Sequence, residues 1–125
     1  MTPHLRAEAE LTAYGLGLPE THVAQGWSVT RTLRVKDRLF AIFGDKGEPQ
    51  DHLTIILKLP VSIEMIQDLY FVRESRGWYR MHDWAVAHFG PDDDILGELP
   101  TLKGWMVQSY VAVAPKKLGR LVQPA

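Results

Sequence analysis

The sequence predicts an α+β domain in two layers, a mainly antiparallel sheet packed against helices. Three observations predict it. A β pattern runs from Thr21 to Leu59, interrupted only by short turns. No connection within residues 22–58 is long enough for a crossover helix, so neighbouring strands must run antiparallel. Helical periodicity flanks this block on both sides, and such helices must bury their apolar stripes against one face of the sheet. The 125 residues suit one domain, 1–125, with a core large enough to need no staples.

Each element has its own signal. Thr2 can cap a first helix and Pro3 suits its first position, where a missing N–H costs nothing. Ala7, Leu11 and Tyr14 recur at helical spacing, and Gly15 offers a left-handed stop. Ser28 to Val35 places Val29, Leu33 and Val35 on one face and Thr30, Thr32 and Arg34 on the other. Arg31 falls on the apolar face, which predicts a bulge or a functional exception there. Lys36-Asp37 reads as a two-residue hairpin loop. Arg38 to Phe43 is apolar on both faces and suits a central strand. Gly44 to Pro49 is a turn cluster, and His52 to Lys58 alternates again with Leu53, Ile55 and Leu57 inward.

Beyond Pro60, Ser62 can cap a second helix with Ile63, Ile66, Leu69 and Tyr70 as its buried stripe, ending near Arg73 to Gly77. Trp84 to Phe89 has the composition of a further strand. The last long helix has the cleanest period in the chain: Leu102, Trp105, Met106, Ser109, Tyr110 and Val113 share one face. Pro115 ends it, and a short basic helix or tail follows.

Composition excludes several classes of function. There is no cysteine, so disulfides, thiolate catalysis and Cys-ligated zinc are out. No apolar run approaches the ~18–20 residues that span a bilayer, so no membrane partner is expected. Arg6, Glu8 and Glu10 stand where a secretory signal needs its apolar stretch, so the expected location is cytoplasmic. A net charge of −1 gives no global pull toward nucleic acid, and any such case must rest on local clusters.

Four segments resemble the MmcQ/YjbR-like family: Leu18-Pro19-Glu20, the hairpin from Arg34 to Phe43, Leu57-Lys58-Leu59-Pro60, and above all Ser109-Tyr110-Val111-Ala112-Val113-Ala114-Pro115-Lys116-Lys117-Leu118. The resemblance covers nearly the whole chain. It departs from the pattern where Asp83-Trp84 replaces a Gly-Trp or His-Trp pair entering the last strand, with Gly77-Trp78 upstream. It implies a secretion-chaperone-like, double-winged fold and a DNA-binding label that rests on structural likeness.

The residues themselves offer three basic clusters. Arg31, Arg34, Lys36 and Arg38 flank the first hairpin. Arg73, Arg76 and Arg80 surround the loop after the second predicted helix, beside Trp78 and Tyr79. Lys116, Lys117 and Arg120 close the chain. A hairpin wing with arginines can follow a phosphate backbone, and nearby aromatic rings can stack on exposed bases. The expected partner is therefore DNA or another nucleic acid. If these are ordinary solvated faces, Trp78 and Tyr79 belong to the core, and the carboxylates from Glu64 to Glu98 repel nucleic acid over part of the surface. A protein-interaction or chaperone-like module, using an exposed sheet face or edge for a partner strand or a homodimer, is the alternative.

Catalytic and metal chemistry have no motif. The five histidines, His4, His22, His52, His82 and His88, include no HExxH and no pair at i, i+4, so neither a metal nor a cofactor is expected. Asp92-Asp93-Asp94 lacks the spacing of a calcium loop and suits a solvated turn or a helix N-terminus. Gly44-Asp45-Lys46-Gly47 is no phosphate loop, and no nucleophile elbow exists. Ser109 lies on the buried stripe, where its hydroxyl is expected to bond a carbonyl one turn back.

Overall fold

In the computed structural model, which describes residues 2–26, 30–45 and 47–122, the elements follow in the order α1 (Pro3–Leu16), β1 (Thr21–Gln25), β2 (Arg31–Val35), β3 (Arg38–Phe43), β4 (Leu53–Lys58), β5 (Val72–Arg73), α2 (Gly77–Met81), β6 (Trp84–Phe89), α3 (Leu99–Val113) and α4 (Lys116–Val122). The strands form one six-stranded sheet in the order β1-β2-β3-β4-β6-β5, and every neighbouring pair is antiparallel. The α+β class is as expected. Ser28 and Val29 of the anticipated strand, and Lys46 of the turn cluster, lie outside the described residues.

Alternation along the strands assigns the two faces. Leu33, Val35, Phe43, Ile55, Leu57, Ala85, Ala87 and Phe89 join the main core beneath α1 and α3. On the other face, Ile42, Ile56 and Trp84 form a smaller cluster with Leu39, Tyr79 and Val86 packed against it. The helices α1 and α3 therefore cover one face, and the short α2 lies against β6 on the other.

Local chemistry places α1 as expected at its start and differently at its end. Thr2 Oγ1 accepts a hydrogen bond from Leu5 N at 3.2 Å, and Pro3 follows it as the first helical residue. Gly15 does not stop the helix, which runs on to Leu16. Its lack of a side chain serves packing instead: a Cβ there would lie 2.5 Å from Leu33 Cδ1 and 3.0 Å from Met106 Sδ. Tyr14 is not in the core; its exposed ring lies under the Lys103 ammonium, 5.5 Å away.

The second predicted helix is absent. Residues 60–71 form consecutive turns, with bonds from Met65 N to Ser62 O and from Leu69 N to Ile66 O that span three residues rather than four. The Gln67 side-chain amide donates to Ile63 O at 2.6 Å, taking the carbonyl that an α-helix would give to the Gln67 backbone N–H. Leu69 and Tyr70 are exposed, and Phe71 enters the core instead, stacked on Phe89 with ring centroids 4.7 Å apart. Its neighbour Val72 opens the short strand β5, which the sequence pattern did not reveal.

Arg31 is an exception without a bulge. It lies at the start of β2 facing α1, and its guanidinium is bound to both oxygens of the Glu8 carboxylate. The bulge sits further along, where the β2–β3 register shifts between Leu33 and Arg34 and leaves Phe40 as the extra residue.

That bulge is where α3 docks. Continuing the β3–β4 register (Ala41 opposite Leu57, Ile42 opposite Ile56) would pair Phe40 with Lys58. The Ser109 hydroxyl is inserted there: it accepts from Lys58 N at 2.9 Å and donates to Phe40 O at 2.6 Å. The expected bond to a carbonyl within its own helix is replaced by a bridge between two strands. Next to it, Tyr110 Oη donates to Pro19 O at 2.7 Å, and its ring meets Phe40 edge-on at 5.5 Å. The helix ends at Ala114, whose extended backbone (ψ 152) is what a residue before proline prefers.

Removing the Ser109 hydroxyl strands a buried donor and a buried acceptor together. Ser109→Ala should destabilise the fold by about 2 kcal/mol, read as a lower urea midpoint at unchanged m-value. Burial, helped by the charge of Glu20, pushes the Tyr110 phenol above its ordinary value. The unfolded chain therefore loses this proton first, and the stabilisation is complete below pH about 10 and lost as pH rises further. Tyr110→Phe should flatten part of the fall in stability at alkaline pH. Tyr79, half-buried and also shifted upward by burial, contributes in the same direction.

Candidate nucleic-acid interface

Three strand ends meet beside the C-terminus of α3. β3 begins at Arg38, β4 ends at Lys58, and β6 begins at Trp84, which pairs directly with Lys58. The chain enters β6 from α2 through His82 and Asp83; the positive φ of Asp83 (61°) sharpens the reversal, and Asp83 O accepts from Leu59 N at 2.9 Å. The reversal folds α2 back over its own strand. Trp78 comes to lie on Trp84 with ring centroids 6.0 Å apart and planes 25° from parallel. Trp84 is 3% exposed and Trp78 is 55% exposed, so the pair is a stack with one leaf in the core and one in solvent. His82 stands 4.9 Å from the Trp78 ring.

Two cations border this stack. Arg38 Nη1 donates to Val113 O at 2.9 Å, which fixes the guanidinium at the negative end of the α3 dipole. Lys58 is half-buried, and alternation along β4 directs it away from the main core. Together with Leu39 and Val113 these side chains enclose an open cleft of about 390 Å³. Its described lining holds no carboxylate. An exposed indole, a deeper indole and two cations can stack a planar ring and hold an anion beside it.

The sequence-nominated residues separate into groups. Arg38 and Trp78 line the cleft. Arg34 and Lys36 belong to the same hairpin as Arg38, with Arg34 Nη1 donating to Asp37 O at 3.0 Å and Lys36 at a positive φ of 52° in the turn. Lys116 and Lys117 are exposed at the start of α4, close in the chain to the carbonyl that Arg38 holds. Arg120 is exposed in the last turn of α4. The remaining four lie elsewhere. Arg31 is committed to Glu8, whose hydrogen bond is the main cause of the guanidinium's raised pKa. Arg76 and Arg80 are ion-paired with Glu74 and Glu64 at 3.6 and 3.5 Å, and Arg73 bonds Tyr70 O at 3.3 Å. The three basic clusters therefore do not form one face: through Arg38 the hairpin reaches Val113 at the end of α3, three residues before Lys116, and the middle cluster contributes its tryptophan rather than its arginines.

Lys58, His82 and Trp84 line the cleft without having been nominated from the sequence. Lys58 carried the only available signal, a charged residue at the outward end of an otherwise apolar strand. Tyr79 is half-buried and Trp78 is not in the core, so their assignment to the core is half correct.

The opposite end of β4 and β6 carries a second polar cluster. Glu48 accepts from Thr54 N at 3.0 Å and from Thr54 Oγ1 at 2.6 Å, and the same hydroxyl contacts His88 Nδ1 at 3.0 Å. His88 Nε2 in turn faces His52 Nδ1. Burial pushes the His88 imidazole below its ordinary value, against the opposing pull of Glu48, so it is neutral at pH 7. Nearby, Asp93 Oδ2 accepts from Gly90 N and Asp94 Oδ1 from Gly97 N, so these two residues of the aspartate run serve a turn. Among the described residues no group of three or more His, Asp or Glu side chains is placed to hold a metal ion, and no helix is long and apolar enough to cross a membrane. Set against known protein families and against curated proteins, the chain matches none.

Proposed function

We propose that this chain is an MmcQ/YjbR-like module that binds nucleic acid, and that it does so through single-stranded bases at the Trp78–Trp84 cleft. It is a binding module rather than an enzyme. The observation that carries the reading is the half-exposed indole stacked on a buried one, with Arg38 and Lys58 beside it and no carboxylate in the lining. Every base has a π-face, so such a platform takes bases without regard to sequence, and adjacent cations hold the phosphates that join them. Arg34 and Lys36 on the hairpin, and Lys116 and Lys117 on α4, extend the positive surface from this point. The net charge of −1 is compatible with it because the charge is unevenly placed: the cleft lining holds no carboxylate, and Glu8, Glu74 and Glu64 are paired with Arg31, Arg76 and Arg80 elsewhere.

A second reading has its own observation. Next to the cleft, Pro60, Val61, Val107, Val111 and Ala112 line an apolar groove of about 430 Å³, and Val61 is 81% exposed. A groove of this kind suits a protein segment, and a partner or second copy bound there would make the module an adaptor.

The test is a titration with single-stranded and duplex oligonucleotides followed by tryptophan fluorescence. Single strands should quench the signal, and affinity should fall roughly tenfold to thirtyfold between about 50 and 200 mM salt if some three phosphates are held. Trp78→Ala should cost about 1–3 kcal/mol of binding. Arg38→Ala should weaken binding and reduce the salt slope by about 0.7. Arg76→Ala should change neither. Binding that is absent at low salt, or indifferent to Trp78→Ala and Arg38→Ala, sinks the reading, and a preference for duplex of the same sequence shifts it from the stack to the hairpin.

A further inference from the structure

At the end of the sheet away from the cleft, two histidines face one another at the spacing of two ligands on one metal ion. His52 immediately precedes β4 and His88 is the penultimate residue of β6; the register that sets Leu53 opposite Phe89 and Thr54 opposite His88 brings their rings side by side. His52 Nδ1 lies 3.3 Å from His88 Nε2. Two nitrogens bound at about 2.0–2.1 Å to a tetrahedral zinc ion stand roughly 3.3–3.4 Å apart. The backbone and both rotamers already provide that separation.

The outer nitrogen of each ring has a polar neighbour, and on His88 that neighbour fixes the proton. Thr54 has a single hydroxyl proton, given to Glu48 Oε2 at 2.6 Å, so toward His88 Nδ1 at 3.0 Å the hydroxyl accepts. His88 therefore carries its proton on Nδ1 and presents the lone pair of Nε2 to His52. On the other ring, His52 Nε2 lies 3.7 Å from Asp51 Oδ1, too far for a hydrogen bond, so no partner on that side fixes the tautomer and Nδ1–H can donate to His88 Nε2. Moving the His52 proton to Nε2, the side on which Asp51 lies, turns this contact into two lone pairs facing one another across 3.3 Å, with room for a cation between them. We infer that His52 Nδ1 and His88 Nε2 form a binding site for a divalent transition metal of the zinc and copper class.

The surroundings match what such a site needs. Carboxylates behind ligating imidazoles orient the rings and raise their basicity; Glu48, acting through Thr54, occupies that position behind His88, and Asp51 lies 3.7 Å from His52 Nε2. Glu48 is itself fixed by two bonds to Thr54 and is only 10% exposed. His52 also lines an open cleft of about 430 Å³ with His4, Glu8, Arg31 and Glu48, which gives an entry path. With no third protein ligand placed among the described residues, the remaining coordination positions are left to water or an exogenous donor, with His52 as the ligand that meets the cleft. This is the form of a site that accepts water or an exogenous donor, as opposed to a closed structural centre.

The experiment is a titration of the 125-residue chain with Zn2+ by calorimetry and with Co2+ by visible absorption. One ion should bind per chain. His52→Gln and His88→Gln should each weaken binding by at least about tenfold, Asp51→Asn by up to about tenfold, while His22→Gln and His82→Gln leave it unchanged. If a histidine variant fails to fold, long-range nitrogen spectra of the wild-type imidazoles decide: Zn2+ should move His52 Nδ1 and His88 Nε2 above all others. No binding by the wild-type chain, binding that survives His88→Gln, or a proton that stays on His52 Nδ1 at saturating Zn2+ overturns the site and assigns the pair as an N–H···N hydrogen bond. The oligonucleotide titration reads the other end of the sheet, so the two outcomes are independent.

Discussion

One hydroxyl group sets the geometry on which the rest of the structure depends. Ser109 occupies the place of a sheet hydrogen bond, between the amide of Lys58 and the carbonyl of Phe40. Three things follow from that insertion. The bulge at Phe40 is satisfied, so the ring can turn into the core beneath Tyr110. The helix α3 is held on the sheet by directional bonds as well as by apolar contact, which fixes its rotation and its height. One turn further on, Val113 is therefore level with Arg38, and the cleft between them is set by the same bond.

The segments that resemble a family meet at this point. Leu18-Pro19-Glu20 supplies the carbonyl for Tyr110, Leu57-Lys58-Leu59-Pro60 supplies the amide for Ser109, and the hairpin supplies Phe40. Such a signature describes how a helix locks onto a bulged strand. It uses Ser109 and Tyr110 up in structure, and neither side chain faces the cleft. Of the ten residues, only Lys116 and Lys117 remain on the surface with charge to offer a partner. A motif of this kind transmits a fold more faithfully than a function.

Strands were legible where residues alternated, because one buried face leaves its mark at every second residue; β4 was read in this way, whereas β6 was read from its apolar composition. Ile63 to Tyr70 misled because helical spacing and a capping serine were both present. The outcome turned on Gln67 capturing a carbonyl and on Phe71 being drawn to Phe89, and neither interaction has a local signature. The cleft was half legible for a related reason. Arg38 and Trp78 are chemically conspicuous residues, but Lys58 and Trp84 become part of the site only through strand pairing across 26 residues of sequence. The Arg31 anomaly was visible as a misplaced charge, and its explanation, Glu8 on a different element, was not.

The division of labour between the two faces of the sheet follows from the same alternation. Leu53, Ile55 and Leu57 commit one side of β4 to the core, and Ala85, Ala87 and Phe89 do the same for β6. What the protein can present on these strands is thus confined to Thr54, Ile56 and Lys58, and to Trp84, Val86 and His88 opposite them. Ile56 and Val86 sit in the middle and join the smaller apolar cluster. They leave a cationic, aromatic end at Lys58–Trp84 and an imidazole-rich end at Thr54–His88, about 13 Å apart at the ordinary rise of a strand. Two sites so placed share a rigid pair of strands and no side chains. Any coupling between them must pass through the apolar middle or through the loops that cover it. A substitution at either end should accordingly leave the other intact, and that makes the chemistry of each separable.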